Sequence, residues 1–212
     1  MLVDSEPIAA RYTALSLSEL GWEMSAADAK REFLGDTHAN IMRRIEARIG
    51  RPVPADWALR SQARFFEALE RELKPVAGVR QAIERLVEAG ATLAVGSQGT
   101  HEKMQHTLGI TGLLPFFEGR IFSATQVALP KPAPDLFLLA SKTLGFAPAR
   151  TVVVEDSARG VQAARAAGMR VLGYTGSVGR EAMAAAGAEV VDDLALLPEL
   201  LGVPRPLGPS AP

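Results

Sequence analysis

Apolar positions along this chain fall into two textures. In the first third they recur at helical spacing. Ile41, Ile45 and Ile49 stand four apart on one face, and Trp57, Phe65, Phe66 and Leu69 follow Pro54, which suits an early helix position. Ser25-Ala26-Ala27-Asp28 reads as a capping-box-like helix start and Gly35 as a stop. The spacing predicts consecutive helices over residues 10–73. After Lys74-Pro75, short apolar runs alternate with amphipathic stretches. Helices are predicted over 79–89, 100–108, 134–144, 157–167, 180–186 and 194–201. Strands are predicted over 92–97, 151–156, 171–174 and 189–191. Strands alternating with helices imply a parallel sheet in a doubly wound α/β core. The continuous apolar run Val152-Val153-Val154 implies burial on both faces. Residues 203–212, with Pro204, Pro206, Pro209 and Pro212, read as a disordered Pro-rich tail.

Composition narrows the function. The 212 residues are 48% hydrophobic and 22% charged, ordinary usage for a globular protein of about one α/β domain with a small insertion. Twenty-three Lys and Arg against 24 Asp and Glu give a net charge of −1. Without a basic excess, nucleic acid is not an expected partner. The absence of cysteine excludes disulfide scaffolds, thiol nucleophiles and Cys-ligated metals. No apolar run reaches membrane-spanning length, and Met1-Leu2-Val3-Asp4 lacks a signal-peptide pattern. The expectation is a cytoplasmic monomer with no membrane partner.

In open parallel sheets ligands bind at the carboxyl ends of the strands. Three candidates stand there. Glu155-Asp156 ends a buried strand, and two adjacent carboxylates suit a hard cation such as Mg²⁺. The same pair also reads as a helix cap, with Glu155 in solvent. Ser97 ends the 92–97 strand, where a hydroxyl and the next backbone N–H groups suit a phosphate oxygen, or cap the following helix. A nucleophile elbow is excluded, because Val95 stands where its first glycine belongs. Lys131, between two prolines in Pro130-Lys131-Pro132-Ala133-Pro134-Asp135, is a held ammonium suited to a phosphate, or a solvated surface lysine.

Taken in order, strand–Ser97, Lys131-Pro-x-Pro-Asp135, strand–Glu155-Asp156 and Gly160 resemble the haloacid dehalogenase superfamily, in the subgroup of β-phosphoglucomutases and sugar-phosphate phosphatases. Leu2-Val3-Asp4-Ser5-Glu6-Pro7 is similar to the segment after that family's first motif, and Val161 to Met169 to its helix after the acidic pair. The resemblance implies a Rossmann-like core of residues 1–9 and 74–202 with an inserted helical cap, residues 10–73. It implies Mg²⁺-dependent hydrolysis of a small phosphorylated metabolite, a sugar phosphate such as 6-phosphogluconate, through an aspartyl-phosphate. Ser97 and Gln98 would contact the phosphoryl group and Lys131 would neutralise charge. Asp156 would ligate Mg²⁺, with Glu155 as a further ligand or an acceptor behind it.

The chain departs from the family at its start. The family's Asp-x-Asp-Gly, which supplies nucleophile and acid, would lie before Met1. The strand carrying it would be the middle of the sheet, between 92–97 and 151–155, so both neighbours are expected to show an unpaired edge. Met1 is therefore expected not to be the biological start. The 212 residues alone are expected to show no turnover, weakened Mg²⁺ binding and low stability.

Substrate choice belongs to the cap in this family. Gly35-Asp36-Thr37-His38 aligns with the cap loop that reaches the substrate. His38 replaces an arginine of the mutases and Ala9 a hinge histidine, which favours a phosphatase. Lys103-Met104-Gln105-His106 is similar to a 6-phosphogluconate phosphatase subgroup, on a helix expected to lie away from the reaction centre. A dinucleotide-binding oxidoreductase is disfavoured by the late, misspaced Gly173, Gly176 and Gly179. Haloacid chemistry is disfavoured by the acidic pair, and a binding protein without catalysis by the retained Ser97, Lys131 and Asp156.

Overall fold

The computed structural model describes residues 1–33 and 38–205. The predicted helix stop at Gly35, the candidate loop residues Gly35, Asp36 and Thr37, the side chain of His38, and residues 206–212 of the tail lie outside the described residues.

The chain divides into two compact units. One is helical and spans Val3–Lys74, with α1 (Glu6–Ser18), α2 (Ala26–Phe33), α3 (His38–Ile49) and α4 (Ala55–Glu72). The Ser25 hydroxyl accepts the Asp28 N–H at 3.1 Å, so the start read from Ser25 is a working cap. Pro54 stands just outside α4, where its missing N–H does no harm. The core of this unit is Leu17, Phe33, Ile45 and Trp57 with smaller neighbours. The Trp57 indole donates to the Ser16 carbonyl at 3.0 Å, so its one polar atom is satisfied inside the core. The boundary falls after Leu2 rather than after Ala9. The reason is local: α1 is one unbroken helix from Glu6, with Ile8 and Ala10 on its buried face, so residues 6–9 stay with it.

The other unit comprises Met1–Leu2 and Pro75 onwards. It holds α5 (Val79–Glu88), β1 (Val95–Ser97), α6 (His101–Ile110), β2 (Ile121–Ser123), α7 (Asp135–Thr143) and β3 (Val152–Glu155). Then follow α8 (Ala158–Ala166), β4 (Arg170–Tyr174), α9 (Arg180–Ala186), β5 (Glu189–Val191) and α10 (Leu197–Leu200). Every strand pair is parallel. The pairs form two sheets, β1-β2 and β3-β4-β5. Among the described residues no strand pairs with the outer edges of β1 and β3, the two strands expected to flank a central one. Consistent with this, all of β1 and alternate residues of β3 are only half-buried.

The apolar core of this unit lies where α8 and α9 cover β3 and β4. It includes Val153, Val161, Met169, Val171 and Met183. Beyond shifts of a few residues at element ends, predicted and observed elements differ in three places. The strand starts at Val95 rather than Thr92, because its partner is only three residues long and pairing opens with Val95 N–H to the Arg120 carbonyl. That partner, β2, has no counterpart in the sequence reading. The 194–201 helix is a 3-10 turn, Leu194–Leu196, followed by α10. No helix among the described residues is long and apolar enough to cross a membrane.

Candidate functional site

The site is built on the carboxyl ends of β1 and β3, within the α/β unit. Ser97 closes β1. Its Oγ accepts the Gly99 N–H at 3.1 Å, which leaves the hydroxyl proton for another acceptor. Thr100 then caps α6 by accepting the Lys103 N–H. Ser123, fully buried at the end of β2, donates to the Gly99 carbonyl at 2.7 Å and fastens the 97–100 turn from below. The turn thus presents a hydroxyl at the mouth of a short parallel sheet.

Lys131 is buried, only 5% exposed. The surface-lysine reading is therefore set aside. Its Nζ donates to the Gly96 carbonyl at 3.1 Å and to the Glu155 carboxylate, and it lies 4.6 Å from the centre of the Phe137 ring. Its loop is held from two sides: Arg159 donates to the Lys131 carbonyl at 2.7 Å, and the Gln98 amide reaches the same oxygen at 3.5 Å.

Glu155 is buried as well. Its Oε1 faces Lys131, and its Oε2 accepts the Asp156 N–H at 3.2 Å and the Ser157 hydroxyl at 2.9 Å. Ser157 in turn caps α8 by accepting the Gly160 N–H at 3.1 Å. A Cβ on Gly160 would stand 2.0 Å from the Glu155 carboxyl carbon, so glycine is required there. Both Glu155 oxygens are thus engaged inside the protein. Of the two roles expected for Glu155, the structure displays the acceptor's contacts: it anchors Lys131 and the turn into α8.

Asp156 is the outward member of the pair. Its Oδ2 accepts the Ser177 hydroxyl at 3.0 Å and lies 2.9 Å from the Met1 ammonium. Burial pushes its pKa up, but the Met1 ammonium, the Ser177 hydroxyl and Lys131 outweigh burial and hold it below the usual aspartate range. Its Oδ1 accepts no hydrogen bond from the described residues. Among the described residues no cluster of three or more His, Cys, Asp or Glu side chains could hold a metal. One free carboxylate oxygen on an ionised aspartate suits a hard, largely hydrated cation such as Mg²⁺, which often takes only one or two protein carboxylates. The donor set therefore fits through Asp156.

The structure brings Gln98, Lys131 and Glu155 into contact around the ends of β1 and β3, with Ser97 and Asp156 at the strand ends beside them. It also shows residues that the sequence did not. The Cδ of Lys103 lies 3.8 Å from where a Gly99 Cβ would stand, and Ser97 Oγ lies 3.5 Å from the same point. Of the 103–106 run, Lys103 thus stands beside the turn that carries Ser97. The available signal was position, since Lys103 sits in the first turn of the helix that follows Ser97. Arg159 and Ser177 carried no signal, because their partners are distant in sequence.

Residues 1–174 match the family of haloacid dehalogenase-like hydrolases, and the chain belongs to that family. It is 31% identical over 199 residues to the chloroplastic protein Suppressor of Quenching 1 of Arabidopsis thaliana. That match covers 91% of this chain but only 19% of the relative's length. It is 27% identical over 203 residues to 6-phosphogluconate phosphatase of Escherichia coli, covering 94% of this chain and 89% of that one. Among solved structures, a haloacid dehalogenase family hydrolase from Deinococcus radiodurans with bound phosphate and sodium superimposes with a TM-score of 0.78. It shares 28% identity, over 94% of this chain and 90% of that one.

Proposed function

We propose that this chain is the body of a Mg²⁺-dependent phosphatase of small phosphorylated metabolites, sugar phosphates such as 6-phosphogluconate. The observation that carries the reading is the buried Lys131 ammonium, held between the Gly96 carbonyl and Glu155 at the ends of β1 and β3. A fixed cation at that place is suited to the charge of a phosphoryl group. The Ser97 hydroxyl, with its proton uncommitted, donates to a phosphoryl oxygen. Gln98 and Arg159 keep the Lys131 loop in place. Asp156 holds the Mg²⁺, which when bound supplies further neutralisation of phosphoryl charge. The helical unit, with Gly35, Asp36, Thr37 and His38, is the candidate for selecting the substrate.

The nucleophile that the family uses is an aspartate whose place precedes Met1. We therefore propose that a polypeptide of these 212 residues alone does not turn over, and that one extended upstream through an Asp-x-Asp-Gly segment does. The β1 and β3 edges that no described strand covers support this reading. The test is phosphate release from 6-phosphogluconate and a panel of sugar phosphates, with Mg²⁺, by the chain with and without its in-frame upstream residues. Turnover by the extended chain alone is expected. Binding of sugar phosphates without turnover by the extended chain would overturn the hydrolase reading in favour of a binding role.

A further inference from the structure

We propose that Ser177 is a positioning residue for Asp156, and that the Thr175–Gly179 turn is built to hold it there. The inference rests on the reading of Asp156 as the cation-holding carboxylate.

The turn is unusually constrained for a surface connection. It leaves β4 at Tyr174, which is in register with Val191 of β5. Thr175 continues that pairing, its N–H donating to the Val191 carbonyl at 3.1 Å. Its side chain donates to Asp192 Oδ1 at 2.9 Å, and Arg180, just past the turn, pairs with the other oxygen of Asp192. One aspartate therefore ties both ends. The turn closes on itself through Gly179 N–H to the Thr175 carbonyl at 3.1 Å. Its middle is pressed against Tyr174, since a Cβ on Gly176 would lie 2.3 Å from the ring. With ends tied and middle packed, two residues remain: Val178 is exposed, and Ser177 reaches the Asp156 carboxylate.

The Ser177 hydroxyl donates to Asp156 Oδ2 at 3.0 Å. Glu155, the neighbour of Asp156, is in register with Gly173 on β4, so the turn after β4 is the natural place from which to reach it. A donor on one carboxylate oxygen fixes the rotation of the group and leaves Oδ1 as the ligand oxygen. Hydrogen bonds behind a metal ligand commonly carry 10- to 100-fold in metal affinity.

The test is Mn²⁺ binding to the whole chain, followed by electron paramagnetic resonance, with melting of the metal-free protein measured alongside. Ser177→Ala is expected to weaken Mn²⁺ binding by about 10-fold or more, with the metal-free melting temperature unchanged. Ser177→Thr, which keeps the hydroxyl, is expected to restore it. Gly176→Val, which pushes the turn off Tyr174 while keeping Ser177, is expected to weaken binding as well. Asp156→Asn separates the two readings. If it abolishes Mn²⁺ binding while Ser177→Ala binds like the unaltered chain, the positioning role is overturned and Asp156 stands. If Asp156→Asn binds normally, or the unaltered chain binds no Mn²⁺, the reading of Asp156 falls and Ser177 falls with it. A loss in Ser177→Ala that threonine does not rescue, with lowered metal-free melting, would mark a structural role only and overturn the proposal.

Discussion

The Lys131 ammonium is shared between the Glu155 carboxylate and the Gly96 carbonyl, and so joins the end of β3 to β1. No strand hydrogen bonds make that connection among the described residues. One buried ion pair therefore carries a junction that a continuous sheet would carry with its ladder.

Removing one partner of such a pair leaves the other charge buried and unmatched. Glu155→Ala is expected to destabilise the protein by about 3–5 kcal/mol, and Lys131→Met by a similar amount. The double variant should cost less than the sum, because it strands no charge. Urea unfolding of the three variants checks this; strict additivity would show that the two groups do not depend on each other.

Glycines separate space from propensity. Gly160→Ala drives a methyl into the Glu155 carboxyl, at 2.0 Å from its carbon. Strain from such overpacking is typically about 1–3 kcal/mol, and here it also displaces the anchor of Lys131. Gly109, inside α6, has nothing within 4 Å of its Cβ position. Gly109→Ala should stabilise by about 0.5–1 kcal/mol through helix propensity. Unfolding midpoints of opposite sign are the expected result. A neutral Gly160→Ala would mean that the Glu155 side chain moves aside without loss.

The same residues show what the sequence could disclose. The helix starts at Ser25 and Ser157, the strand ending at Glu155 and the helix ends at Gly90 and Gly168 were legible, because caps, apolar runs and glycine stops are local. The β2 strand was not, since three residues such as Ile121–Ser123 are too few to form a pattern. Ser97, Lys131 and Asp156 stood out by type and place at strand ends. Their supports did not. Arg159 meets the Lys131 loop, Ser123 the Gly99 carbonyl and Ser177 the Asp156 carboxylate across 20 or more residues of chain, and nothing in the local sequence encodes such meetings. The contacts of Glu155 with Lys131 and Ser157 likewise depend on three-dimensional neighbours.

Asp156 also predicts a pH dependence. Its pKa is held below the ordinary aspartate value of 3.8 in the folded chain. The unfolded chain then takes up a proton first as pH falls. The stability that Asp156 contributes is thus full above about pH 5 and is lost as pH drops through and below the ordinary value. Asp156→Asn should remove that part of the acid loss and leave the slope near neutral pH unchanged. Urea midpoints between pH 6 and pH 3 measure it; an identical acid limb in both proteins would show that Asp156 is not held in its charged form.

Lys103 carries the opposite sign. Burial of its side chain near Gly99 and Ser97 lowers its pKa from the ordinary 10.5. In the folded chain its proton is therefore held less tightly than in the unfolded chain, and the charged lysine weakens folding. That penalty is full below the folded pKa and disappears as pH rises past 10.5, so stability climbs with pH across the interval between the two. Lys103→Met keeps the apolar stem and removes the charge. It is expected to raise the urea midpoint at pH 7, with the advantage narrowing toward pH 11. A Met variant no more stable than the parent at pH 7 would show that the ammonium is solvated. A stabilised variant that also binds inorganic phosphate more weakly would place the cost of this buried charge at the proposed phosphate site, at the start of α6 beside the Ser97 hydroxyl.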